Sequence, residues 1–151
     1  MKEILKGKAK ELSTKCTKVT KEDTEIFKEV YDKFKGNGKT CIGYGLAANQ
    51  IGYTKRHIII SSSGQTRHIM TLSNPVLKNH GREIITLPEG CLSYPGRIEK
   101  IGRYRVIDVE YYDENWKKIS KTFKGLTARI IQHELNHLDG LDCLENRLKE
   151  E

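Results

Sequence analysis

Apolar positions recur at helical spacing near both ends of the chain and at strand spacing between them. Ile26, Phe27, Val30, Tyr31 and Phe34 form one stripe, which predicts a helix over residues 21–34, with Thr20 as its cap and Gly36 as its stop. β-rich runs follow at residues 57–62, 68–73 and 82–87. Two more, 105–112 and 118–123, flank Asp113, Glu114 and Asn115, a hairpin turn. Gly125 then opens a last helix running to about Asp139, before Gly140. This helix is apolar on two sides: Leu126 and Ile130 on one, Ile131, Leu135 and Leu138 on the other, so it is expected to be buried. The order of elements predicts an α+β fold: antiparallel sheets wrapped around the C-terminal helix, with an additional N-terminal helix. The 151 residues suit a single catalytic domain spanning 1–151.

Composition narrows the setting. Apolar residues make up 36% and charged residues 31%, and the longest apolar runs, such as Ile58-Ile59-Ile60, cannot span a membrane. No apolar segment of signal-peptide length follows Met1, so a cytoplasmic protein is expected. The four cysteines, Cys16, Cys41, Cys91 and Cys143, form no C-x-x-C pair and need no bridges there. The net charge of +7 owes much to the lysines of the first 21 residues. Such a basic segment suits weak ribosome association, although no aromatic or arginine-rich RNA motif accompanies it.

The last helix carries the chemistry. Gln132-His133-Glu134-Leu135-Asn136-His137 reads H-E-x-x-H, which puts the two histidines one turn apart on one helix face. Two neutral imidazoles so placed can hold a divalent metal, and Glu134 can act on a water beside it. Leu126 and Ile130 continue the histidines' face. A catalytic metal usually takes three protein ligands, and two cysteines compete to be the third. Cys143 lies where the extended metalloprotease pattern has its last histidine, while Cys91 sits in Glu89-Gly90-Cys91-Leu92-Ser93, after a strand-like run. Thiolate suits zinc or ferrous iron in either case.

The segments Gly43-Tyr44-Gly45-Leu46-Ala47-Ala48-Asn49-Gln50, Glu89-Gly90-Cys91-Leu92-Ser93 and Gln132 to Gly140 resemble, in order and separation, the three signature motifs of the peptide deformylases. Pro95-Gly96, Arg103 and Gly125 also fall where that family tends to have them, and the resemblance covers about Gly43 to Glu145. It implies an enzyme that removes the formyl group from the N-terminal methionine of nascent chains. It implies Cys91, His133 and His137 as metal ligands, with Cys143 left as a packing residue. Glu134 becomes general base and then acid, and Gln50 and the Leu92 N–H become oxyanion donors. Gly43 and Gly45 would let a substrate backbone lie alongside, Tyr44 would rim the pocket, and Leu126 and Ile130 would line it for methionine. Glu89 and Ser93 would shape the loop that presents Cys91.

The implied cofactor is one divalent ion, Fe2+ in the cell, with Zn2+, Ni2+ or Co2+ as alternatives after purification. The implied partner is the N-formylmethionyl nascent peptide, met by a monomer in the cytoplasm of a bacterium or of an infected host cell. The sequence departs from the family at Asn49, where many members have proline or another residue, and at Asn136, where aspartate is frequent. Its N-terminal part matches poorly, and the C-terminal extension of many bacterial members is expected to be missing, as in compact forms encoded by some bacteriophages. Two rival readings stand beside the deformylase: an H-E-x-x-H zinc endopeptidase, and a basic RNA- or ribosome-binding module with a structural metal site.

Overall fold

The run Ile58-Ile59-Ile60 is wholly buried because both of its faces are covered. Ile58 and Ile60 pack toward the C-terminal helix, and Ile59 packs with Val30 and Phe34 of the N-terminal one. This is seen in a computed structural model of the chain that describes residues 2–149. The strands are β1 (Gly45–Ala47), β2 (His57–Ile60), β3 (Met70–His80), β4 (Ile84–Glu89), β5 (Glu99–Tyr104), β6 (Val106–Tyr112) and β7 (Lys118–Lys124). The helices are α1 (Thr24–Phe34) and α2 (Gly125–Leu138). Five strands form one antiparallel sheet in the order β1-β2-β3-β6-β7, and β4 pairs with β5 in a second. The α+β architecture predicted from the pattern, with antiparallel sheets around the last helix, is what the chain adopts.

Several boundaries differ for local reasons. Helix α1 starts at Thr24, and Thr20 is not its cap. Residues 20–23 instead form a turn, in which Thr20 N–H donates to Asp23 Oδ2 at 2.8 Å and Asp23 N–H to Thr20 O at 3.1 Å. Strand β3 runs on to His80 through Asn74-Pro75, a dipeptide that reads as a turn. Asn74 has φ 51°, and its amide exchanges two hydrogen bonds of 2.9 Å with the backbone of Val19. The strand therefore bends without stopping, with register shifts on both sides of Val76 and Leu77. Strands β1 and β5 were not predicted: one is three residues long, and the other, Glu99–Tyr104, opens on two exposed charged residues. The hairpin at Asp113 forms as predicted, with Asp113 Oδ1 accepting from the N–H groups of Asn115 and Lys117.

Helix α2 lies between the two sheets and holds the small one with polar side chains. The Gln132 amide bonds the Tyr104 N–H and C=O at 2.9 and 2.8 Å, and the Arg129 guanidinium donates to Ile101 O at 2.9 Å and to Ile85 O. Gly140, at φ 69°, ends the helix with a left-handed turn: its N–H reaches His137 O at 3.0 Å, and Leu141 N–H reaches Asn136 O at 2.9 Å. A side chain at Gly140 would lie within 2.9 Å of the backbone of Ser13 and Thr14, so this turn accepts only glycine. It reverses the chain and brings residues 141–144 back along the helix. Among the described residues, no helix is long and apolar enough to cross a membrane.

Candidate metal centre

Three elements meet at the histidines of α2. The loop after β4 brings Cys91, the helix brings His133 and His137, and the reversed segment after Gly140 brings Cys143. One ligand atom from each of these four lies within 4.8 Å of every other, and Cys91 Sγ is 3.3 Å from His137 Nε2. Cys91 is the third donor that the family resemblance implies. Cys143, expected only to pack, puts its sulfur in the same cluster. Its spacing after His137 was the signal for it.

The donors are oriented from behind. Glu89, at the end of β4, accepts from His133 Nδ1 at 2.8 Å, from Arg103 at 2.9 and 3.0 Å, and from Arg129 Nη1 at 2.6 Å. Its contact with Nδ1 leaves Nε2 of His133 free to face the cluster. Burial pushes the Glu89 carboxyl up, but hydrogen bonds from His133 and Arg103 outweigh this and hold it down at about 2. Burial likewise pushes His133 down, while contacts with Cys91 and Glu89 outweigh it and carry it up to about 10. The Cys91 thiol is held low, first by a hydrogen bond from Cys143 and then by both histidines, and Cys143 is correspondingly raised. These contacts surround His133 with negative charge, and that field and the soft donor set fit a divalent metal ion. Arg103 Nη1 also bonds Asn136 Oδ1, so asparagine at that position keeps the acceptor. Asn49 Nδ2 donates to His137 O at 2.6 Å and fixes the helix backbone there.

A cavity of about 790 Å³ opens onto this cluster. Gly43, Tyr44, Gly45 and Gln50 line one side, with Cys91 and Leu92 from the loop. Leu126, Ile130, His133 and Glu134 line the helix side. His137, 1% exposed, lies behind them. Tyr44 is 56% exposed and Leu126 52%, so both stand at the mouth. Glu134 is buried, which raises its carboxyl pKa, and its Oε1 has no hydrogen-bond partner among the described residues. A side chain on Gly45 would come within 2.6 Å of the other carboxylate oxygen. Gly45 therefore makes room for Glu134 as well as leaving the strand edge open. The Gln50 amide N–H group donates to Ser93 Oγ at 3.1 Å and, at 3.7 Å, to Cys91 Sγ, while Gln50 Oε1 accepts from Ala47 N–H at 2.9 Å.

The sequence reading missed the N-terminal segment, whose Ile4 and Lys6 line the cavity. It is pinned there by Leu5 N–H to Gln50 O at 2.7 Å and Gly7 N–H to Ser93 O at 2.9 Å. No local pattern announces those long-range bonds. The reading also left Arg103 and Arg129 without a role in orienting the site.

A family profile described as polypeptide deformylase matches residues 1–151. The chain belongs to the polypeptide deformylase family. It is 38% identical over 141 residues to the peptide deformylase of Karelsulcia muelleri, covering 89% of this chain and 72% of that one. The crystal structure of the Thermotoga maritima peptide deformylase superposes with a TM-score of 0.83 at 27% identity, over 93% of each chain. The enzyme of Vibrio parahaemolyticus bacteriophage VP16T, solved in complex with actinonin, superposes with a TM-score of 0.80 at 35% identity, over 93% of this chain and 98% of that one. The chain is thus a deformylase-family enzyme, and neither the endopeptidase nor the RNA-module reading is favoured.

Proposed function

We propose that this deformylase cleaves the N-formyl amide of formylmethionyl nascent peptides with Cys91, His133 and His137 holding the metal and Glu134 moving the proton. The observation that carries the assignment is the buried Oε1 of Glu134, without a partner among the described residues, on the wall of the cavity that exposes Cys91 and His133. A buried carboxylate oxygen without a partner is costly, and a water entering the cavity satisfies it. When bound, the divalent ion supplies Lewis acidity to that water and to the formyl carbonyl.

The residues divide the remaining work. Strand β1 is an edge strand, so an extended peptide can pair with it from Gly45, alongside the segment from Gly43 that leads into it. That placement seats the methionine side chain against Leu126 and Ile130. Glu134 accepts a proton from the attacking water and returns it to the departing methionine amine, a task suited to a carboxyl whose pKa burial has raised. Gln50 Nε2 exchanges its long contact with Cys91 for the developing oxyanion, joined by the backbone N–H of Leu92.

The ion in the cell is taken to be Fe2+, because a Cys-His-His set suits iron and zinc alike and supply decides between them; Zn2+, Ni2+ and Co2+ would also occupy the site. The protein would act as a one-domain monomer in the cytoplasm, bacterial or that of an infected host. Its basic N-terminal lysines would favour weak contact with the ribosome. The test is formate release from a formyl-Met tripeptide beside digestion of casein, with enzyme loaded anaerobically with Fe2+. Formate without casein cleavage supports the assignment; casein cleavage without formate overturns it.

A further inference from the structure

Cys143 is the feature that the deformylase reaction does not use. Its Sγ lies within 4.8 Å of Cys91 Sγ, yet the two sulfurs face different surroundings. Cys91 lines the cavity and can be reached by a small solute. Cys143 is 0% exposed and is absent from the cavity wall, so nothing in solution reaches it directly. Its backbone is anchored, with Arg103 Nη2 donating to Cys143 O at 2.9 Å and Leu144 N–H to Asp142 Oδ1 at 2.9 Å. Cys16 and Cys41 stand outside the cluster.

An accessible cysteine sulfur with a second, shielded cysteine sulfur close behind it is the arrangement of an attacking and a resolving cysteine. We propose that Cys91 and Cys143 form a site of reversible oxidation by hydroperoxides, closing a disulfide across the metal centre and releasing the ion. In the first step the Cys91 sulfur attacks the outer peroxide oxygen. The O–O bond breaks, and Cys91 becomes a sulfenic acid as the alcohol or water leaves with one proton from solvent. In the second step the Cys143 sulfur displaces hydroxide from the sulfenic sulfur, and its own proton completes a water molecule. The two sulfurs together lose two electrons, and the peroxide gains them. A disulfide sulfur is no longer the thiolate that binds metal, so the centre loses a ligand. Dithiol reductants reverse the step by thiol–disulfide exchange. Without Cys143 the sulfenic acid has no partner, and a second hydroperoxide carries it to sulfinic acid, which such reductants do not reverse.

The release of the ion rests on Cys91 being a metal ligand; the disulfide does not, and one experiment separates the two. The full-length, zinc-loaded protein is treated with a several-fold molar excess of hydrogen peroxide, enough for two oxidation steps at one sulfur, followed by intact-mass and peptide mapping and by a chromogenic zinc chelator. The expected product has lost two hydrogens and joins the Cys91 and Cys143 peptides. It frees zinc in step and regains both thiols and zinc binding with dithiothreitol. Cys143→Ala should instead accumulate oxygen on Cys91 irreversibly, while Cys16→Ala and Cys41→Ala should behave as wild type. Wild-type protein that accumulates sulfinic Cys91 beside a free Cys143 thiol overturns the proposal, and that map decides even if Cys143→Ala does not fold. A disulfide formed with zinc retained overturns the release step, and with it Cys91 as a ligand.

Discussion

Gly45→Ala is the smallest change that reaches the proposed proton carrier. The added Cβ would stand 2.6 Å from Glu134 Oε2, 3.0 Å from its carboxyl carbon and 3.0 Å from Ile130 Cγ2. To reach the 3.4 Å of an ordinary contact, the carboxylate must give way by roughly 0.8 Å. The Cβ cannot avoid this by moving away, because Ile130 Cγ2 crowds it as well, so the carboxylate at the cavity wall is what shifts. A displacement approaching an ångström in a reacting group costs on the order of 10²-fold in rate, or about 2.7 kcal/mol in the barrier. Crowding should also destabilise the fold by about 1–3 kcal/mol. Gly43→Ala is the control, since its Cβ would meet only Leu92 Cδ1 at 3.6 Å. Steady-state kinetics on a formyl-Met tripeptide, with metal content measured on the same samples, provides the assay. Gly45→Ala should lower kcat with metal retained, and Gly43→Ala should act mainly on KM through the peptide-binding edge. Equal effects of both substitutions on KM, with kcat preserved, would refute the reasoning and leave Gly45 as a backbone-clearance residue only.

Other perturbations test separate parts of the account. Glu89→Gln removes the carboxylate shared by His133, Arg103 and Arg129; metal affinity should fall about 10–100-fold and stability by about 3 kcal/mol or more, read by competition with a chelator and by urea unfolding. Burial lowers His57 from 6.5 to about 4. The unfolded chain therefore binds the extra proton between those values, and the contribution is whole above pH 6.5 and lost as pH falls toward 4, by about 3 kcal/mol in all. Urea unfolding at several pH values should show that slope in wild type and not in His57→Gln; an unchanged slope removes His57 as its source. Ile130→Phe should lower kcat/KM for formyl-Met more than for formyl-Ala peptides, and an unchanged ratio would place the methionine pocket elsewhere.

The parts of the site written in contiguous residues were legible before folding. His133, Glu134 and His137 share a helix face by spacing alone, and the Cys91 and Gln50 loops were readable through family motifs. Cys143 was legible too, since its spacing after His137 matched a ligand pattern, but a packing role was preferred once the family's cysteine was assigned. What stayed hidden depends on contacts distant in sequence. Nothing near Arg103 or Arg129 says that both will meet Glu89, and nothing near Ile4 says that it will line the cavity. Strand β3 was cut short because Asn74-Pro75 has turn chemistry, which its bonds to Val19 put to another use. Thr20 carried a capping signal that was spent on a turn with Asp23.

The central claim is that Glu134 moves the proton at a metal held by its neighbours. It is tested most directly by Glu134→Gln, which keeps the shape and removes the proton acceptor. Metal content and formate release should be measured on the same preparation. The account predicts a full complement of metal with kcat reduced by about 10²-fold or more. Formate release near the wild-type rate, with metal retained, would contradict it.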